Sequence, residues 1–153
     1  MDTYADDRVG RLPDPSDVSE GSYYQGVNAK RLVAWVIDAI LILILGTILI
    51  PFTAFTAVFV LPFFFLVVGF VYRVLTLAGG SATWGMRMTG IEIRQGNGAK
   101  LDFGTATLHT FLYTAAVMIS PLQLISIIMM LVTSQKQGLH DMILGTAPIR
   151  SKA

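Results

Sequence analysis

Two long stretches of the chain carry no charged side chain. Residues 39–72 and residues 103–135 contain no Asp, Glu, Lys or Arg. The core of a water-soluble domain is interrupted by polar positions, so uncharged runs of this length are typical of segments embedded in a membrane. Only 14% of all residues are charged, whereas soluble domains have about a quarter. The sequence therefore predicts an integral membrane protein.

The first apolar run is too long for a single crossing. Residues 32–72 hold one charged residue, Asp38, and as one helix they would extend about 60 Å, twice the ~30 Å hydrocarbon core. Pro51 marks the break, because proline removes a backbone donor and disfavours helix in the preceding residue. We expect helix 1 at residues 30–50 and helix 2, kinked at Pro62, at residues 53–77.

The second apolar run permits two topologies. Pro121 divides residues 104–133 into either one kinked span or a helical hairpin. The basic residues fall into three groups, near residues 8–31, 73–100 and 136–152, and short basic flanks stay in the cytoplasm. A third span would place the basic residues near 136–152 on the opposite side of the membrane from the cytoplasm. We therefore favour the hairpin, with a cytoplasmic N-terminus.

Polar segments surround the apolar runs. Residues 78–103 predict a cytoplasmic loop with a β-hairpin, because residues 91–94 and 100–103 alternate apolar and polar side chains around a turn. Residues 1–26 predict an acidic, disordered cytoplasmic tail, and residues 134–149 an interfacial segment. The predicted fold class is an all-α membrane protein with two full transmembrane helices, a Pro-broken helical hairpin or third span, and a small cytoplasmic β-hairpin.

Asp38 lies two turns inside helix 1, where an ionised carboxylate costs roughly 2.5–3.5 kcal/mol on insertion scales. Arg31 shares its face of the helix, about 10 Å away along the axis. A bent arginine side chain, a water or a group from another segment would have to bridge them. Two interpretations stay open: Asp38 exchanges a proton or cation, or it is a permanent hydrogen-bonding anchor that holds helix 1 to its neighbours.

Three short motifs follow one another along residues 27–149: Arg31-x-x-Ala34-x-x-Ile37-Asp38, then Thr83-Trp84-Gly85-Met86-Arg87, then Leu139-His140-Asp141 with Gly145-Thr146. In this order they resemble the RDD family of bacterial membrane proteins. The resemblance implies that Arg31, Asp38 and Asp141 are the family's arginine and two aspartates and form a polar cluster, supported by the residues Gly85, His140 and Thr146. Two positions depart from the family pattern. The family often has lysine where this chain has Met86, and often has arginine where this chain has His109.

Other chemistry finds little support in the sequence. The chain has no cysteine, and His109 is the only histidine besides His140, so no metal-binding set is visible. No nucleophile-bearing motif and no basic stripe suited to nucleic acid is present. We expect a protein that is not an enzyme, with no metal, no cofactor and no nucleic-acid partner.

Two functional hypotheses remain. In the first, the Arg31, Asp38 and Asp141 cluster serves the transport of an ion or small solute. So few spans cannot enclose a pathway, so this hypothesis requires a homo-oligomer or a partner. In the second, the protein is a non-catalytic accessory or assembly subunit of a larger membrane protein complex, with the polar cluster as a structural lock. In both, the lipid bilayer is the surrounding partner.

Overall fold

The computed structural model describes residues 11–151 and is mostly helical over that range. Short 3-10 turns occur at Gly21–Tyr24, Ile50–Thr53 and Thr56–Val60. The α-helices are α1 (Val27–Leu49), α2 (Leu61–Gly80), α3 (Trp84–Thr89), α4 (Phe103–Met118), α5 (Ser120–Val132) and α6 (Leu139–Leu144). The strands are β1 (Ile91–Arg94) and β2 (Ala147–Arg150).

Two helical segments are long and apolar enough to cross a membrane, Gly21–Thr53 and Thr56–Gly80. In their most apolar windows only 17% and 11% of the residues are buried inside the protein. Large apolar side chains such as Leu43 and Phe63 therefore point outward, which is the reverse of a soluble core and suits lipid. The prediction of two membrane helices is confirmed.

The connection between these helices differs in detail from the prediction. α1 begins at Val27, and α2 begins only at Leu61, after two 3-10 turns. Ala54 and Phe55, both left-handed, separate those turns. Pro62 lies in the first turn of α2, where its missing N–H has no helical acceptor, so it starts the helix instead of kinking it.

The second apolar run forms two helices. The axes of α4 and α5 are bent by 116° at the break, and Pro121 lies in the first turn of α5. A bend larger than 90° turns α5 back towards the end from which α4 came. The Pro-broken helical hairpin is the form of this run that the structure favours, since α5 spans only about 20 Å at 1.5 Å per residue.

The two-stranded antiparallel sheet is present, but its second strand is not the predicted one. β1 pairs with β2, with Ile91 opposite Arg150 and Arg94 opposite Ala147. The predicted partner, residues 100–103, contributes a single bridge from Lys100. Beyond that bridge the Leu101 N–H donates to the Ser81 hydroxyl at 2.6 Å, and residue 102 caps α4, so the hairpin ends there.

The sheet also holds part of the N-terminal segment. Tyr24 is buried against Ala147 and Ile149 of β2, and its hydroxyl donates to the Pro13 carbonyl at 2.9 Å. Part of the segment 11–26 is thus packed on the fold, whereas its residues 16–19 are exposed; a solvated tail was predicted for all of it. The first ten residues of that tail lie outside the described residues.

The main hydrophobic core lies at the sheet end of the molecule, where α1 begins. There α3 packs on α1 and leads directly into β1. The buried side chains of this core come from seven elements or loops: Val27, Ala34, Leu77, Ala82, Met86, Ile91, Ile93, Leu101 and Ala106. This packing fixes the polar first half of α1, with Arg31 and Asp38, against the rest of the protein.

Candidate functional site

Asp141 in the first turn of α6 is completely buried and surrounded by donors. Its Oδ2 accepts from the Arg31 guanidinium at 2.9 Å and from the Gly138 N–H at 3.1 Å. Its Oδ1 accepts from the Thr146 hydroxyl at 3.0 Å and lies 2.9 Å from Nε2 of His109. The predicted pair of Arg31 and Asp141, with Thr146 in support, therefore meets in space.

Glycines make the tight geometry of α6 possible. A Cβ on Gly138 would lie 2.5 Å from the Met130 side chain, 2.7 Å from the Ser126 hydroxyl and 3.1 Å from the His140 ring. Gly145 ends the helix in the left-handed conformation, at φ 68°, which costs glycine least. The short helix is thereby seated with Asp141 directed inward.

Two histidine rings meet beside this carboxylate. The rings of His109 and His140 are edge to face, with centroids 4.6 Å apart. His140 Nε2 lies 3.4 Å from the Arg31 guanidinium, which has only donors, so this nitrogen is the acceptor and Nδ1 carries the proton. Nδ1 is buried and has no partner among the described residues.

Burial decides the protonation of these groups. It lowers the pKa of His140 to about 3, although the Asp141 carboxylate opposes the shift. For Asp141, burial alone would raise the pKa, but the Arg31 charge and the hydrogen bond from His109 hold it well below 3.8. Near neutral pH, His140 is therefore uncharged and Asp141 is a permanent anion paired with Arg31.

The structure brings together a possible metal-ligand set that the sequence analysis did not detect. Ligand atoms of His109, His140 and Asp141 lie within 4.8 Å of one another. Arg31, however, contacts both Asp141 and His140. A divalent cation bound between them would lie against a fixed positive charge, so this geometry favours an ion pair over a metal site.

Asp38 belongs to a different network. Its Oδ1 accepts from the Tyr72 hydroxyl at 2.7 Å and from the Gly85 N–H at 2.9 Å, and its Oδ2 accepts from the Thr83 hydroxyl at 2.5 Å. The side chain is buried. The three donors come from α2, from the start of α3 and from the residue before α3. Asp38 therefore links α1 to both α2 and α3.

Gly85 has a clear steric role in this network. A Cβ there would collide with the Ala34 carbonyl oxygen of α1 and lie 2.8 Å from the Asp38 carboxylate. Only glycine allows α3 to approach α1 this closely and donate its N–H to Asp38. The supporting role that the resemblance implies for Gly85 thus has a physical basis.

The structure divides the predicted cluster of Arg31, Asp38 and Asp141 into two networks. Among residues 11–151, no hydrogen bond joins Arg31 to Asp38; the arginine reaches Asp141 and the Lys136 carbonyl instead. Both networks border one cavity of about 410 Å³. Its polar lining residues include Asn28, Arg31, Asp38, Arg73, His109, Tyr113, Gln123 and His140, and the rest is mainly apolar.

Arg73 is the functional candidate that sequence reasoning missed. Its guanidinium lies 4.3 Å from the centre of the Tyr113 ring and 3.4 Å from the Tyr113 hydroxyl. In the described part of the chain it forms no ion pair with a carboxylate. The sequence analysis counted Arg73 only in a basic flank; its position as the first charge after residues 39–72 was the available signal.

The apolar outer surface and the buried ion pair define an α-helical membrane protein with an arginine–aspartate site at one end of its helices. A family model described as "RDD family" matches residues 27–145, which is most of the chain. The protein belongs to the RDD family. No curated protein and no solved structure matches the chain.

The two departures from the family pattern lie at different places in this site. Met86 is buried in the hydrophobic core and also borders the cavity. His109 lies against Asp141, on the carboxylate oxygen opposite to the one that faces Arg31. A neutral ring can therefore occupy a position where the family often has a cation, since Arg31 already balances the charge of Asp141.

Proposed function

We propose that the protein is transport-related and binds a small anionic solute in the 410 Å³ cavity. The observation that carries this proposal is Arg73 in the cavity wall, which has no carboxylate partner among residues 11–151. Arg73 belongs to a segment long and apolar enough to span a membrane, Thr56–Gly80, where a cation without a counter-charge is costly. An anion that enters the cavity offsets this cost, and the guanidinium offers it directed donors.

The other charged groups of the lining are engaged in contacts within the protein. Arg31 is paired with Asp141. The carboxylate of Asp38 is occupied by three donors, so it has little capacity left for a cation. Arg73 is therefore the charged group of the lining whose donors remain available to a ligand.

The walls of the cavity have the composition of a small-molecule site. They are mainly apolar, with a few converging polar groups. Asn28 and Gln123 each have a buried carbonyl oxygen without a partner among the described residues. Such orphaned groups cost about 1–3 kcal/mol each, a cost that a polar ligand or water can relieve.

Transport places further requirements on the protein. Two spans and one hairpin do not enclose a pathway, so the active unit is a homo-oligomer or a complex with a partner. The basic groups of the sequence favour insertion into the bacterial inner membrane with a cytoplasmic N-terminus. The cavity then opens near the cytoplasmic surface.

The test uses the full chain reconstituted into phosphatidylcholine vesicles. Uptake of labelled inorganic phosphate and succinate is compared for wild type, Arg73→Gln and the control Arg150→Gln, whose residue lies in β2 away from the cavity. We expect uptake that Arg73→Gln abolishes and Arg150→Gln leaves unchanged. Equal rates with and without the protein, together with no shift of its melting temperature by either anion, would reject anion binding.

One observation favours the accessory hypothesis for part of the molecule. The three donors on Asp38 suit a structural lock better than an exchanging carboxylate. The discriminating measurement is the native mass of the complex extracted in mild detergent, with every co-purifying chain identified. A stable assembly with a larger membrane protein supports the accessory role, whereas a homo-oligomer supports self-sufficient transport.

A further inference from the structure

We infer that the ligand of this cavity is an anionic amphiphile, with its phosphate or carboxylate headgroup at Arg73 and its acyl chain in an adjoining apolar groove. The inference rests on the proposed function, because it uses the same cavity and the same arginine. It adds the chemical class of the ligand.

A second cavity of about 340 Å³ provides the groove. It lies between α1, α2 and α4 and shares Trp35, Arg73 and Tyr113 with the first cavity. Its other lining residues are almost entirely apolar: Ala39, Ile42, Leu43, Phe65, Leu66, Gly69, Phe70, Thr114 and Val117. The two cavities therefore adjoin at these three residues, and the apolar one lies beside the more polar one.

The dimensions of the groove suit an acyl chain. Arg73 and Phe65 are eight residues apart on α2, which corresponds to about 12 Å along the helix axis. Leu43 and Val117 at the groove are 55% and 46% exposed, so the groove opens on the lipid-facing surface. A chain can thus enter sideways from the bilayer without crossing a polar barrier.

The headgroup end is held in place by aromatic contacts. Trp35 donates its indole N–H to the Tyr113 hydroxyl at 2.8 Å, and Arg73 stacks on the Tyr113 ring. These contacts position the guanidinium and leave most of its five donors free. Phosphate and carboxylate groups accept paired hydrogen bonds from such a fork, whereas a zwitterionic headgroup presents its own cation to compete with the arginine.

Gly69 keeps the floor of the groove open. A Cβ at this position would meet only Ile42, at 3.6 and 3.8 Å, so a larger side chain would project into the groove. Gly79, on the same helix, has nothing within 4 Å of such a Cβ and does not line either cavity. These two glycines form a matched pair of test and control positions.

The experiment uses tryptophan quenching by brominated lipids. The full chain with Trp84→Phe, which leaves Trp35 as the single tryptophan, is placed in phosphatidylcholine nanodiscs that contain a small fraction of brominated lipid. We expect saturable quenching of Trp35 by brominated phosphatidylglycerol beyond the level that brominated phosphatidylcholine gives at the same fraction. Brominated oleate is expected to behave like the anionic phospholipid.

Variants assign the effect to the two halves of the site. Arg73→Gln should raise the fraction of anionic lipid needed for half-maximal quenching about tenfold. Gly69→Leu should abolish the saturable part, while Gly79→Leu leaves it intact. If Gly69→Leu is not monodisperse in detergent, Ile42→Phe fills the same groove from α1 and replaces it.

Two results would overturn the inference, and they have different consequences for the proposed function. Equal quenching by phosphatidylglycerol and phosphatidylcholine, with uptake of free anions still dependent on Arg73, rejects the amphiphile but retains anion binding. Loss of every effect of Arg73→Gln, on lipid and on free anions, rejects both.

Discussion

Asp38 and Asp141 are both buried carboxylates of the family motif, yet their surroundings differ in kind. Asp38 accepts hydrogen bonds from three neutral donors, whereas Asp141 faces a guanidinium and lies beside two histidines. The partners of Asp38 belong to α2 and to the start of α3, while Arg31 precedes Asp141 by 110 positions. The Asp38 network joins helices that are close in sequence. The Asp141 network joins α1, near the start of the described chain, to α6, near its end.

The two networks also differ in how completely they are satisfied. Both oxygens of Asp38 have partners, and a Cβ on Gly85 would not fit beside the carboxylate. Around Asp141, the carboxylate is satisfied, but among residues 11–151 the adjacent His140 has a buried nitrogen without a partner, and Asn28 and Gln123 in the cavity lining each have a buried carbonyl oxygen without one. Complete satisfaction is typical of a structural anchor, and orphaned polar groups at a cavity are typical of a binding site.

The largest expected loss of stability distinguishes the Asp141 network, which contains the ion pair with Arg31, from the Asp38 network, whose donors are neutral. Asp141→Asn leaves the charge of Arg31 buried without its counter-ion and should lower the free energy of unfolding by about 3–5 kcal/mol. Denaturation by SDS titration in mild detergent measures it. The double variant Arg31→Met with Asp141→Leu removes both charges and should lose less than the single variant. A single variant as stable as wild type would contradict the ion-pair assignment.

The next effect tests the close approach at Asp38. Gly85→Ala places a methyl group against the α1 backbone and the carboxylate, and should destabilise by about 3 kcal/mol, the upper end of the usual range for overpacking. The same titration measures it. Gly79→Ala is the control, and it should be neutral or stabilising by roughly 0.5–1 kcal/mol. Similar results for both glycines would contradict the steric role of Gly85.

Acidification sharpens the contrast, because only the Asp141 network contains histidine. The pKa of His140 is about 3 in the folded state and 6.5 in the unfolded state, so below pH 6.5 the unfolded state binds the additional proton. Stability should fall with decreasing pH, by about 2 kcal/mol at pH 5. Asp141 adds a further loss only below its ordinary pKa of 3.8.

Melting temperatures between pH 7.5 and 5 measure this dependence. His140→Gln keeps a polar side chain of similar reach but does not titrate, so its melting temperature should change less over the same interval. An unchanged pH dependence in that variant would show that another group is responsible.

The smallest expected effect lies in the neutral network. Tyr72→Phe removes one of three donors to Asp38 and should cost about 1 kcal/mol in the free energy of unfolding. Thr83 and Gly85 continue to satisfy the carboxylate. If Tyr72→Phe lowered the free energy of unfolding as much as Asp141→Asn does, the interpretation that three donors jointly stabilise the Asp38 carboxylate would be contradicted.

Much of this architecture follows from local patterns. Uncharged runs determine the two spans because the hydrocarbon core sets the length of a helix that crosses it. The antiparallel sheet was predicted from residues 91–94, but its partner strand was not, because Pro148 makes residues 147–150 a poor strand by sequence. Its proximity to β1 depends on how α6 packs, which no local pattern shows.

The sequence indicated three charged residues of the two networks, but neither their partners nor Arg73. The resemblance indicated Arg31, Asp38 and Asp141, and helical geometry put the first two on one face of α1. That geometry could not reveal that each would find a partner elsewhere. The meeting of His109 and His140, and the isolation of Arg73, depend on contacts between helices far apart in sequence, which are fixed only when the chain packs.

The long separation between Arg31 and Asp141 also orders events during synthesis. When α1 leaves the ribosome, its arginine has no counter-ion, and β1 has no partner, until the last few residues of the domain are made. Asp38 finds Tyr72, Thr83 and Gly85 much sooner. We therefore expect the contacts of Asp38 to form before that of Arg31 with Asp141, and a chain released before α6 to keep Arg31 without its counter-ion and β1 without its partner strand.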